Sequence, residues 1–87
     1  MKSKATSKFW KLYRNLPVNI QKRARRAYVL WLNNPRHPSV QFKRVDGQEP
    51  IYSARINDNY RVLGLLEEDT VTWFWIGNHQ EYEQLLK

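Results

Sequence analysis

An α+β fold is predicted, with an N-terminal helix hairpin packed on one face of a four-stranded, largely antiparallel sheet and a short C-terminal helix. Three observations predict it. Apolar residues recur at helical spacing as far as Trp31. From Val40 onward the hydropathy period changes to two. Short turn signals then separate the alternating segments, as a meander requires. The 87 residues suffice for one domain, and residues 1–87 carry no internal repeat, low-complexity tract or long linker.

The first helix is expected over residues 7–16, where Phe9, Leu12, Tyr13 and Leu16 form a stripe opposite Lys8, Lys11 and Arg14. Pro17 interrupts it and suits the first turn of a second helix. Ile20, Ala24, Ala27, Tyr28 and Trp31 continue as one stripe until Asn33-Asn34-Pro35 stops the helix. Strands are expected over 40–45, 51–56, 60–66 and 70–76. Asp46-Gly47, Asn57-Asp58-Asn59 and Glu67-Glu68-Asp69 supply the turns. After Gly77, residues 79–86 read as a short helix with Tyr82, Leu85 and Leu86 on one side.

Composition narrows the function. The chain has no Cys, which excludes disulfides, thiolate nucleophiles and Cys-based metal sites, and its two His make a His-rich metal site a poor expectation. The first residues lack the apolar centre of a secretory signal, and no stretch approaches a membrane span of about 20 apolar residues, so a cytoplasmic protein without membrane contact is expected. Net charge is +7, and residues 1–45 hold twelve Lys or Arg and no Asp or Glu. That asymmetry points to a polyanion or an acidic protein as partner, although a solvated basic helix face has the same composition.

Strand parity decides which side chains can meet. If Tyr52, Ala54 and Ile56 face the helices, Ser53 and Arg55 face the other side of the sheet. The tight turn at 57–59 brings Arg55 near Arg61. Strict alternation places Val71, Trp73 and Trp75 opposite Thr72, Phe74 and Ile76. Two guanidiniums on an open sheet face suit a phosphodiester and the extra charge of its transition state. His79, turned back by Gly77, is the proton carrier that general acid–base cleavage of RNA needs. Tyr82 can stack on a base or take part in proton transfer. Lys43, Arg44, Lys22, Arg23 and Arg26 are the expected RNA-binding cations. Each residue has a structural alternative. Arg55 can pair with Asp58 or an acidic tail residue, Arg61 can support the turn, His79 can cap the last helix, and Tyr82 can pack on the sheet.

The segments Leu16-Pro17, Tyr52-Ser53-Ala54-Arg55-Ile56, Tyr60-Arg61-Val62-Leu63-Gly64 and Trp73-Phe74-Trp75-Ile76-Gly77-Asn78-His79-Gln80-Glu81-Tyr82 resemble the RelE/ParE superfamily of toxins over about residues 8–87. The resemblance implies a type II toxin held inactive by a cognate antitoxin in a higher-order complex. In the nuclease branch it implies a metal-independent, cofactor-free mRNA endonuclease acting on the ribosome, with the 2′-hydroxyl attacking the adjacent phosphate. Arg55 matches a basic position of that branch, Arg61 its phosphate-binding arginine, and His79 a basic or histidine position, while Tyr82 matches a late tyrosine loosely. Ser53 departs from members with a lysine there; His79, or else Glu81, is then the general base. The superfamily also implies two alternatives, a gyrase inhibitor without nuclease residues and a non-toxic nucleic-acid-binding module.

Overall fold

The computed structural model describes residues 1–45 and 47–85. Its elements are β1 (Lys2–Ala5), α1 (Ser7–Arg14), α2 (Val18–Asn33), β2 (Lys43–Arg44), β3 (Ile51–Arg55), β4 (Tyr60–Glu67), β5 (Thr70–Asn78) and α3 (His79–Leu85). No helix among the described residues is long and apolar enough to cross a membrane. Of the expected features, Asp46 in the first turn and Leu86 in the last helix lie outside the described residues.

Among the described residues the sheet has five strands, ordered β1-β5-β4-β3-β2, rather than the four expected. The additional strand, β1, runs parallel to β5, from Lys2 opposite Thr70 to Ala5 opposite Trp73. Its partner lies at the other end of the chain, so no local pattern announces the pairing. Backbone bonds from Lys2 N to the Asp69 carbonyl (2.9 Å) and from Thr6 N to the Trp73 carbonyl (3.0 Å) extend the ladder. Lysines along this edge also oppose pairing with another chain. At the other edge, β2 is shorter than the expected 40–45. Gln41 has φ of +49°, which breaks the extended backbone, and Val40 turns into the core.

The helices begin and end on local chemistry. Thr6 Oγ1 accepts a hydrogen bond from Phe9 N at 3.1 Å and caps α1. α1 stops two residues before the expected Leu16, because Asn15 N turns back to the Leu12 and Tyr13 carbonyls. Pro17 is the N-cap residue of α2, one place before the first helical turn. Arg25 donates to the Tyr13 hydroxyl (2.8 Å) and the Gln21 amide to the Leu16 carbonyl (2.9 Å), tying the hairpin together.

The core lies between this hairpin and one sheet face. Trp31 is 1% exposed and meets Trp73 and Phe42 edge-on, with centroids 5.3 and 5.6 Å away. Phe9, Val40, Ala54, Ile56, Val71 and Ile76 complete the cluster. The meander is as expected, except that the β4–β5 register breaks between Leu63 and Gly64. Leu63 pairs with Trp75 and Gly64 with Trp73, leaving Phe74 as the extra residue of a bulge. The strict alternation expected for this strand therefore fails. Val71, Trp73 and Ile76 enter the helix-side core, while Trp75 joins Leu63 on the opposite face.

Gly64 faces that core at the bulge. A Cβ there would stand 2.5 Å from Val71 Cγ1 and 2.7 Å from Trp73 Cε3, on side chains that are both buried. Gly64→Ala is expected to cost about 1–3 kcal/mol through overpacking. The check is a lower urea midpoint at unchanged m-value.

Candidate functional site

The β3–β4 register sets Arg55 directly opposite Arg61, and the β4–β5 register sets Arg61 opposite Gly77. Ala54 and Ile56, which flank Arg55, lie in the helix-side core, so both guanidiniums rise from the other face. The neighbouring row on that face is Lys43, Ser53, Leu63 and Trp75. This face is less open than its sequence implies. Ser53, Leu63 and Trp75 are buried on it, and α3 packs across β4 and β5.

A reciprocal box places α3. Asn78 Oδ1 accepts from Glu81 N at 2.8 Å, and Glu81 Oε1 accepts from Asn78 N at 3.2 Å. Asn78, rather than His79, thus caps the helix. One oxygen of the Glu81 carboxylate is engaged there. The Asn-x-x-Glu spacing is the sequence signal for this box. Gly77 lets the chain pass close to Trp75: a Cβ would stand 2.5 Å from Trp75 Cζ2. His79 N then donates to the Asn59 carbonyl at 2.6 Å, fastening the start of α3 to the 57–59 turn.

Tyr82 joins the predicted residues. Its ring lies 5.6 Å from Arg61 Cζ, 6.2 Å from the His79 ring at 21° between planes, and 6.4 Å from Trp75. Tyr82 therefore packs on the sheet and also forms one wall of the site. His79 is half exposed, with Nε2 2.8 Å from Glu83 Oε1. An ionised carboxylate only accepts, so this contact places a proton on Nε2, and the neutral tautomer it selects carries its lone pair on Nδ1.

The two arginines differ in how they are satisfied. Arg55 pairs with Asp58, which is itself 88% exposed. Arg61 has no such partner among the described residues, and its Nη1 is buried without a hydrogen-bond acceptor among them. Ser53 Oγ, diagonal to Arg61 on the same face, is also buried without a hydrogen-bond partner among the described residues. Like charges directly across a ladder repel, and an unsatisfied buried donor costs free energy. An anion bound between Arg55 and Arg61 relieves both.

The remaining cations fall in three places. Lys43 shares the face and sits opposite Ser53. Arg44 points away in register with Tyr52, and its guanidinium reaches the carbonyls of Gly47 and Gln48. Lys22, Arg23 and Arg26 are exposed on α2 and line a groove of about 490 Å³ whose far wall is the 57–59 turn.

This layering recurs in solved structures. RelE in the RelB–RelE complex of Methanococcus jannaschii superposes with a TM-score of 0.75 at 18% identity, over 95% of this chain and 98% of that one. A YoeB/ParE toxin from Agrobacterium tumefaciens gives 0.71 at 14% identity, over 91% and 99%. Isolated E. coli RelE gives 0.68 at 15% identity, over 97% and 94%. At these identities the likeness is one of fold, and the fold is that of RelE-like toxins. No curated protein sequence matches the chain. The ParE-like toxin domain profile matches residues 18–84, and the chain belongs to that family within the RelE/ParE superfamily, as its motifs predict.

Proposed function

We propose that the protein is a metal-independent, ribosome-dependent mRNA endonuclease, and that Arg55, Arg61, His79 and Tyr82 form its catalytic centre. The observation that carries this reading is the pair of arginines in direct register on one face, one of them holding a buried, unpaired nitrogen. Their guanidiniums clamp the scissile phosphate and stabilise the charge that grows on its oxygens. His79 Nδ1 takes the proton of the 2′-hydroxyl. The 2′-oxygen bonds to phosphorus as the bond to the next 5′-oxygen breaks, and the leaving oxygen takes a proton from water. Products are a 2′,3′-cyclic phosphate and a 5′-hydroxyl. Tyr82 offers its ring to an unstacked base. Lys43, on the same face, adds attraction for RNA that is independent of its sequence.

A cognate antitoxin belongs to the same proposal, since RelE of M. jannaschii and of E. coli was crystallised with RelB. Exposed Trp10 and Tyr28, at an apolar cleft between the helices and the sheet, provide surface for it.

Primer extension on mRNA during translation tests the reading. The expected result is cleavage within codons being translated, weakened at least about tenfold by His79→Ala. Intact transcripts in the presence of folded protein overturn it. Inhibition of gyrase supercoiling by that same preparation would replace it with the gyrase reading.

A further inference from the structure

The groove between α2 and the 57–59 turn has no role in the centre just described. Asn19, Lys22, Arg23 and Arg26 form one helix face along it. The opposite wall is rigid, because Asn57 Oδ1 accepts from the backbone amides of Asn59 (2.8 Å) and Tyr60 (3.0 Å). That same turn touches the catalytic centre at two points. Asp58 pairs with Arg55, and the Asn59 carbonyl holds His79 N. Asp58 also lines the groove, and among its described lining residues it alone carries a negative charge.

Resting on the nuclease reading, we propose that the α2 groove and the Arg55–Arg61 centre form one continuous track for single-stranded RNA, with Asp58 occupying their junction in place of a backbone phosphate. The charge pattern supports it. Three exposed cations face a turn whose single carboxylate already sits on an arginine, where a phosphate oxygen would bind. Lys22 and Arg26 lie one helical turn apart, about 6 Å, within reach of successive phosphates. A surface ion pair as exposed as Arg55–Asp58 is weak. A phosphate, which accepts from a guanidinium in bidentate fashion, displaces it. An unpaired strand fits better than a duplex, because the track ends on the Tyr82 ring, a platform for an unstacked base.

Fluorescence anisotropy with labelled 2′-O-methyl RNA, which cannot be cleaved, tests this without ribosomes. Oligomers of about three and about nine nucleotides are compared, the shorter covering the centre alone and the longer also reaching the groove. Wild-type protein should bind the longer RNA at least about tenfold more tightly. The combined Lys22→Gln, Arg23→Gln, Arg26→Gln variant should lose that gain, keep its affinity for the shorter RNA, and show a log–log salt slope smaller by about 2. Asp58→Asn should bind both RNAs about three- to tenfold more tightly. Equal weakening of both lengths by the triple variant means diffuse attraction and overturns the track. So does unchanged binding of the longer RNA. Unaltered affinity in Asp58→Asn overturns the junction, and equally tight duplex binding overturns the choice of a single strand. The nuclease reading fails separately, when transcripts stay intact during translation although length-dependent binding persists.

Discussion

Arg61→Ala is expected to lower translation-dependent mRNA cleavage by about 100- to 1000-fold, the loss seen when one preorganised donor to a transition-state oxyanion is removed. The fold should barely notice. Among the described residues Arg61 makes no ion pair or hydrogen bond through its buried Nη1, and it faces a like charge across the ladder. It packs on the Tyr82 ring, a cation–π interaction worth about 0.5–1 kcal/mol at a partly exposed site. Truncation also removes an unsatisfied buried donor, which offsets that loss. The unfolding free energy from urea titration should therefore stay within about 1 kcal/mol of wild type. Arg61→Lys keeps the charge but not the planar fork, and should recover binding more than rate. Cleavage at the wild-type rate in Arg61→Ala would remove the arginine pair from the mechanism.

The largest effect on stability is expected at Trp31. Its ring is 1% exposed and joins the helix layer to the sheet, touching Tyr28 on its own helix, Phe42 ahead of β2 and Trp73 on β5. An apolar cleft already lies beside it, so the void left by Trp31→Ala would merge with existing space instead of collapsing. The expected cost is about 3–5 kcal/mol, a large part of the total stability of a chain this short. In thermal unfolding that corresponds to a fall of about 12 °C or more. Trp31→Phe should recover much of the loss, since the edge-on contacts need a ring more than an indole, and Trp31 Nε1 has no hydrogen-bond partner among the described residues. A fall of only a few degrees in Trp31→Ala would place the core elsewhere.

The parts of the site that were legible in the sequence share one feature: they follow from local parity and short turns. Arg55 and Arg61 are separated by a tight turn, so their arrival on one face required only that Ala54 and Ile56 point inward. His79 and Tyr82 follow a glycine at the end of a strand and so stay near it. The illegible parts depend on side-chain geometry. Whether Arg55 would meet Asp58 or an acidic tail residue depended on where the turn aims its carboxylate. The capping role passed from His79 to Asn78 because the helix begins one residue later than the strand ends.

By itself the chain's order of residues determined the helix hairpin, the antiparallel meander, the terminal helix and the concentration of positive charge in its first half. Those properties are local, set by a period of 3.6 or 2 and by which residues turn the backbone. Only the tertiary structure decided that Lys2–Ala5 would become a fifth strand beside β5, that a bulge at Phe74 would send Trp73 and Trp75 to opposite faces, and that α3 would lean Tyr82 on Arg61. Each of these pairs groups that are distant in sequence or differ by a single residue of register. Their energies come from packing and hydrogen bonds that exist only once the layers have met.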